Sequence, residues 1–371
     1  MSDDMLLGRP HAASDIYSPL FGPLLAFKTN SYNTLHVPDD ADSKRFGEKP
    51  WLIYTSWLLN RRFGARKRKG QAHFGHSLSR KVARESMLSF PGPELQSACS
   101  RFRGDFGFQL YSWYATFHYT IERHREALLW SYILHRADPD QDGYLSGSER
   151  HQIMRDLEQG LQNEGQSSFR ARNFYHYAET LESAGLEAPK VNLDIQWTSI
   201  DGPIMIKDAD CFAFDVNDCL APGFSAKDMA APQSSPMFST AAIFERVARN
   251  RPECGDCLIK ILLHKVPRGL EPLMPDRSTQ PEAFETAVKL LMRYQYTINE
   301  PDGLFVMVTD AEQVENTLNK RLLTKKKKVG QLCLNDDVSL DDDKELQDLH
   351  STINTLFEGL LPKPGRFEKG T

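Results

Sequence analysis

Apolar residues from Ser77 to Leu88 recur at helical spacing, with Leu78, Val82 and Met87 separated by charged residues, and the run stops at Phe90-Pro91-Gly92-Pro93. That pattern predicts a helix closed by proline and glycine. Trp51 to Leu59 is apolar enough for a buried helix or strand, and Phe106 to Leu134 holds no proline, and no glycine after Gly107, which predicts one or two buried helices. Thr240 to Arg249 and Pro281 to Gln295 also have helical spacing. Leu304 to Val308 reads as a strand, Thr309 and Asp310 as the N-cap of a helix running to about Leu323, and Gln331 to Leu334 as a short strand ending in Asn335-Asp336-Asp337. A last helix is expected from about Lys344 to Leu361. Strands separated by capped helices predict a helix-rich α/β chain. The basic stretch Arg61 to Lys69 reads as a solvated loop, and Asp228 to Pro236, containing Ala-Ala-Pro-Gln-Ser-Ser-Pro, as a turn-rich linker.

Composition narrows the partners. A formal charge of −5 with short basic clusters gives no field that would hold a polyanion, so nucleic acid is not expected. No run reaches the roughly 18 apolar residues of a spanning helix, and the first residues lack the order of a signal peptide, so neither a membrane anchor nor a targeting signal is read in this chain. Four of the six cysteines, Cys211, Cys219, Cys254 and Cys257, form two close pairs. Structural disulfides, half of a zinc site and free thiols all fit that clustering.

The most specific motif is local. Asp138, Asp140, Asp142, Gly143, Leu145, Ser146 and Glu149 stand at positions 1, 3, 5, 6, 8, 9 and 12 of a twelve-residue window, the EF-hand pattern for Ca2+. Calcium takes six to eight hard oxygens, which the three aspartates, the Tyr144 carbonyl, a water at Ser146 and bidentate Glu149 would supply. Trp197 to Asp208 is a degenerate second window whose first position cannot ligate, and a non-binding partner loop is the expectation there. A structural ion is preferred to a switch.

Two acidic clusters flank apolar segments, Ser2-Asp3-Asp4 before one and Asn335-Asp336-Asp337 after another, where carboxylates at strand ends could hold Mg2+ or Mn2+ against a pyrophosphate. Turn carboxylates and a helix cap are the bland alternatives. His73-Phe74-Gly75-His76 sets two imidazoles three apart, one of which could accept a proton from an attacking hydroxyl, and Arg103 could clamp a phosphate.

In order along the chain, Ser2-Asp3-Asp4-Met5-Leu6-Leu7-Gly8, His73 to Arg80, Arg101-Phe102-Arg103 with Gln109, the calcium loop and Cys333-Leu334-Asn335-Asp336 resemble the Stealth family of sugar-phosphate transferases. That family includes the N-acetylglucosamine-1-phosphotransferase alpha/beta precursor and fungal xylosylphosphotransferases. The resemblance implies an α/β, helix-rich fold with an incomplete nucleotide-sugar transferase-like core and an inserted EF-hand helix-loop-helix. It implies transfer of a sugar 1-phosphate from a nucleotide sugar, of the UDP-xylose or UDP-N-acetylglucosamine type, to a hydroxyl of an acceptor glycan. Asp4 with Asp3 would serve a catalytic Mg2+ or Mn2+ and the pyrophosphate, and His73 the acceptor proton. Arg103 with Asn335 and Asp336 would hold phosphate and sugar, with His76 a further substrate-binding residue. The wording of His73 to Arg80 and of Pro252 to Cys257 points to the fungal xylosylphosphotransferase branch.

The resemblance also divides the chain: 1–125 as the C-terminal part of the catalytic core, 126–165 as the EF-hand, 166–275 as a cysteine-containing insertion and 276–371 as a C-terminal α/β segment. The family's first conserved region is absent, so a truncated form, complemented by an N-terminal segment, is one expectation. A Golgi-lumenal location is implied by resemblance, and a cytoplasmic one if the chain is expressed as given. The competing class is a non-enzymatic calcium-binding interaction module.

Overall fold

A computed structural model describes residues 5–45, 47–73, 75–101, 107–164, 172–188, 195–225, 235–266, 269–299, 303–325, 329–336, 338 and 342–363. Asp3, Asp4, Arg103 and residues 228–234 of the expected linker lie outside them, as does the side chain of Asp336.

The breaker-free apolar run becomes one helix, Ser112–Ser131, nearly every residue of which is buried. It does not stop at Ser131 but widens into a turn in which Ala137 N–H donates to the Tyr132 carbonyl at 2.8 Å. Around it pack Lys49–Phe63, built on the Trp51–Leu59 run, and Arg80–Leu88, whose first turn is capped by Ser79 Oγ. Pro252–Leu263 and Pro281–Arg293 close the other sides, each with proline in its first turn, where the missing N–H costs nothing.

Nine short strands make three small sheets among the described residues: β1 Met5–Leu7, β2 Tyr17–Ser18, β3 Gly22–Leu25, β4 Phe27–Tyr32, β5 Arg68–Gln71, β6 Ile195–Thr198, β7 Thr297–Asn299, β8 Gly303–Val308 and β9 Gln331–Asp336. One sheet runs β1-β9-β8, another β2-β3-β7-β6, and the hairpin β4-β5 stands as a third. The parallel pair β8-β9 is joined over Ala311–Thr324, started by the expected Asp310 cap, and the Asp343–Leu360 helix covers this sheet through Leu349 and Leu356. The fold is thus mixed α/β and helix-rich.

Three expectations are settled or corrected. Arg61 to Lys69 is not a solvated loop: Arg61 ends a helix, Lys69 stands in β5, and the Arg66 and Arg68 side chains are 13% and 1% exposed. They are held there by Glu122 and Asp256, since a desolvated guanidinium persists only beside a counter-charge. Trp197 to Asp208 is not the partner of the calcium loop, because Trp197 and Thr198 pair with β7 and the rest forms two short turns. The four clustered cysteines form nested disulfides, Cys211–Cys257 and Cys219–Cys254, so neither zinc nor a free dithiol applies. No described helix is long and apolar enough to cross a membrane.

Candidate functional site

The first sheet gathers distant parts of the chain. β1 pairs antiparallel with β9, setting Met5 opposite Cys333, so the residue that follows Asp4 in sequence lies two positions from Asn335 on the neighbouring strand. Alongside, β8 and β9 run parallel with Met307 opposite Asn335 and Val308 opposite Asp336. Asn335 Nδ2 donates to Met307 Sδ at 3.3 Å.

The loop after β5 lies against this sheet. Gly75 N–H donates to Gln331 Oε1 at the start of β9, and His73 sits edge-on to Phe305 of β8 with centroids 4.2 Å apart. Cys333 Sγ is 3.9 Å from His73 Nδ1. The other ring nitrogen, Nε2, is 3.0 Å from Lys28 Nζ. An ammonium only donates, so Nε2 must accept, and in the neutral ring the proton sits on Nδ1. Burial and, after it, the Lys28 charge lower the His73 pKa, against a smaller opposing effect of Glu48, which lies 3.7 Å from Lys28. His73 is therefore a neutral imidazole whose unprotonated Nε2 accepts from the Lys28 ammonium.

His76 is placed differently. Its Nε2 bonds the Ala72 carbonyl at 2.9 Å and its ring meets Phe117 edge-on, while burial lowers its pKa to about 4. It braces the loop that presents His73. Sequence reasoning missed Lys28, Glu48 and Tyr111, whose hydroxyl donates to Glu48 Oε2 at 3.0 Å. Only the tertiary fold brings them to His73, because Lys28 stands on β4, Glu48 before a helix and Tyr111 at the head of the central one.

The 138–149 loop gathers a second cluster of candidate ligands. Gly143 has φ 85°, the left-handed conformation its position demands, and its N–H donates to Asp138 Oδ2 at 3.1 Å. Asp138, Asp140 and Glu149 offer carboxylate oxygens lying within 4.8 Å of one another. Asp138 is 2% exposed, its Oδ1 is buried without a hydrogen bond, and burial followed by its acidic neighbours raises its pKa to about 6. Three carboxylates converging with an unmet buried oxygen fit a divalent cation. Glu149 Oε2 accepts from Ser146 N–H and Oγ, both at 2.7 Å. The loop is braced by backbone: Leu145 N–H donates to Phe238 O at 2.8 Å and Thr240 N–H to Gly143 O at 3.0 Å. The partner segment is therefore Pro236–Thr240, which leads into the Thr240–Glu245 helix.

No family model matches the chain. Over its whole length it is 26% identical, across 451 aligned residues, to a 3-O-alpha-D-mannopyranosyl-alpha-D-mannopyranose xylosylphosphotransferase of Cryptococcus neoformans var. grubii. It is 25% identical, again over its whole length, to proteins of that name in two strains of var. neoformans serotype D, B-3501A and JEC21. The chain spans about half the length of these curated relatives, 49% in each case. From end to end, then, the chain is similar to xylosylphosphotransferases, which matches the Stealth-type sugar-phosphate transferases whose motifs its sequence carries.

Proposed function

We propose that the chain transfers a sugar 1-phosphate from a nucleotide sugar, UDP-xylose in the first instance and UDP-N-acetylglucosamine in the second, to a hydroxyl of an acceptor glycan. The carrying observation is the placement of His73, with Nε2 unprotonated, against β8 and β9 near Asn335. His73 takes the proton of the acceptor hydroxyl as its oxygen attacks phosphorus, and the nucleoside monophosphate leaves. Lys28 holds the imidazole neutral in the resting site; its ammonium must leave Nε2, whose lone pair it occupies, before the ring takes that proton, and it then faces the transferred phosphate. Asp3, Asp4, Arg103 and Asp336 keep the roles that the resemblance implies, in substrate and Mg2+ or Mn2+ binding. A bound divalent ion would neutralise charge on the departing nucleotide. The disulfides favour an oxidising, secretory compartment, the Golgi lumen included.

The test is release of UMP from UDP-xylose with a mannoside acceptor in Mn2+. His73→Ala should lower turnover by about 10²- to 10⁴-fold, the range for a lost general base, with donor binding by calorimetry little changed. Unaltered turnover in that variant would remove His73 from the chemistry. Calcium binding without any nucleotide-sugar signal would favour the calcium-binding interaction module instead.

The calcium loop we assign a structural ion, held by Asp138, Asp140, Asp142, the Tyr144 carbonyl, Ser146 through water, and Glu149. At calcium about 100-fold above its dissociation constant, binding adds about 2.7 kcal/mol to stability. Glu149→Gln should lower both calcium affinity and melting temperature, and by more than Asp336→Asn. A melting temperature indifferent to chelator would sink the assignment.

A further inference from the structure

Among the described residues, the titratable groups around His73 are Lys28 of β4, Cys333 of β9, His76 farther along the same loop, and Glu48. Lys28 Nζ occupies His73 Nε2 at 3.0 Å, and Glu48 Oε1 lies 3.7 Å from the same ammonium. A hydroxyl reaches that nitrogen's lone pair only if the ammonium has another acceptor to go to, because a donor left unpaired in a partly enclosed site is costly.

Glu48 is placed to be that acceptor. It stands at the head of the Lys49–Phe63 helix, where a carboxylate meets the positive end of the helix dipole, yet its side chain makes no capping bond. Its Oε2 accepts instead from the Tyr111 hydroxyl at 3.0 Å. Tyr111 is fixed in turn: its N–H donates to Thr55 Oγ1 at 2.8 Å, and its hydroxyl accepts from Gln71 Nε2 at 3.3 Å. One carboxylate oxygen is therefore held, and the other faces Lys28. Drawing the ammonium in to a charge-assisted bond of about 2.8 Å takes a shift of about 1 Å, within the reach of the flexible lysine stem. Tyr32 also faces Glu48, and burial, then the Glu48 charge, raise its pKa, so it stays a neutral phenol.

We propose that Glu48 is a positioning residue for His73, the seat that takes the Lys28 ammonium off Nε2 when an acceptor hydroxyl arrives. The inference rests on the transfer reading. With Lys28 seated on Glu48, the hydroxyl donates to Nε2. Its O–H bond then breaks as Nε2–H forms, its oxygen bonds phosphorus, and the bond from phosphorus to the departing nucleoside monophosphate breaks. In this role Glu48 touches neither substrate nor phosphorus and acts through Lys28. Its charge also favours the imidazolium that results.

The test is a double-mutant cycle on the intact chain, read by NMR of the His73 ring nitrogens and by pH profiles of UMP release. Glu48→Gln should keep Lys28 on Nε2, weaken proton binding at His73 by about threefold or more, and lower kcat by about tenfold or more. The acid limb of the kcat profile should move to lower pH while the plateau falls; a merely structural loss would lower the plateau and leave the limb in place. Glu48→Asp, shorter by a methylene, should fall between. In a Lys28→Met background, Glu48→Gln should change both readouts by no more than about twofold. Tyr111→Phe, which frees the held oxygen, should act in the same direction as Glu48→Gln and by less. Equal effects of Glu48→Gln with and without Lys28, or a His73 ring indifferent to it in a chain of unchanged circular dichroism, would overturn the proposal. The ring measurement needs no turnover. Coupling through Lys28 together with turnover that survives His73→Ala condemns the transfer reading alone, and turnover lost in His73→Ala without that coupling condemns the Glu48 role alone.

Discussion

Between pH 7 and about pH 5 the protein should lose stability steeply, by up to about 4 kcal/mol per pH unit, because three buried histidines are neutral in the fold. His118 and His124 are fully enclosed, and burial lowers the pKa of each to about 3, while His76 falls to about 4 for the same reason. His118 is further opposed by the Arg68 charge, and its Nε2 bonds the Lys69 carbonyl at 2.9 Å. In the unfolded chain each returns to about 6.5. From that value down to the folded ones the unfolded state binds three more protons than the native state. Stability therefore rises with pH across the window: it is fully present above 6.5 and is lost as the pH falls toward 4. Asp138 acts in the opposite sense when no cation is bound, its raised pKa letting the native loop take a proton from about pH 6 downward. One group offsets at most a third of the slope. Denaturant titrations at pH 7, 6 and 5 should show a falling midpoint with an unchanged slope. In His118→Gln, which keeps a donor for the Lys69 carbonyl, the pH dependence should flatten by about one proton. A midpoint that holds constant from pH 7 to 5 would show these rings to be solvated.

What the sequence revealed of this fold depended on the distance between cause and consequence. The sharp turn of the 138–149 loop and the convergence of its carboxylates were legible because the whole pattern lies within twelve residues and glycine is needed at the turn. The central helix was legible from its length without breakers, and β8 and β9 from short apolar runs bounded by cap and turn residues. The brace of the calcium loop was not, since Pro236–Thr240 contacts it through backbone groups that every sequence possesses. Nor was the pairing of Lys28 with His73, or of β1 with β9 across more than three hundred residues. The misreading of Arg61 to Lys69 has the same root: a basic run looks solvated unless the carboxylates that bury it are known, and they lie at Glu122 and Asp256. Of the expected transfer residues, His73, His76 and Asn335 are described in full, and the neighbourhood of His73 owes as much to Lys28 and Glu48 as to the motif.

The second large effect is expected at Asp256, the residue between the two cysteines of Cys254-Gly255-Asp256-Cys257. Its carboxylate accepts from Arg66 Nη1 at 2.8 Å and from Arg125 Nε; burial pushes its pKa up, but both cations together with a hydrogen bond from each hold it below the usual carboxylate range. Arg125 is 0% exposed and spends its remaining donors on the carbonyls of Val247, Ala248 and Pro252. Gly255 lies against the Val247 carbonyl and Arg125 Nη2 so closely that no Cβ fits, which is how the helix reaches the guanidinium. Asp256→Asn keeps the shape but removes the counter-charge of two buried guanidiniums and turns an amide N–H₂ toward donors. Breaking a buried pair from one side costs about 3–5 kcal/mol. The disulfides on the same helix act otherwise. The Cys211–Cys257 link closes a separation of 46 residues, and reducing it releases about 4 kcal/mol at most by chain-entropy reasoning, mainly through the unfolded state. Because one loss falls on the native network and the other on the unfolded chain, Asp256→Asn should cost nearly as much in reduced protein as in oxidised protein. A cost that disappears on reduction would mean that the disulfides, not Arg125 and Arg66, hold this helix against the core. A cost under about 1 kcal/mol in both forms would mean that water reaches the pair.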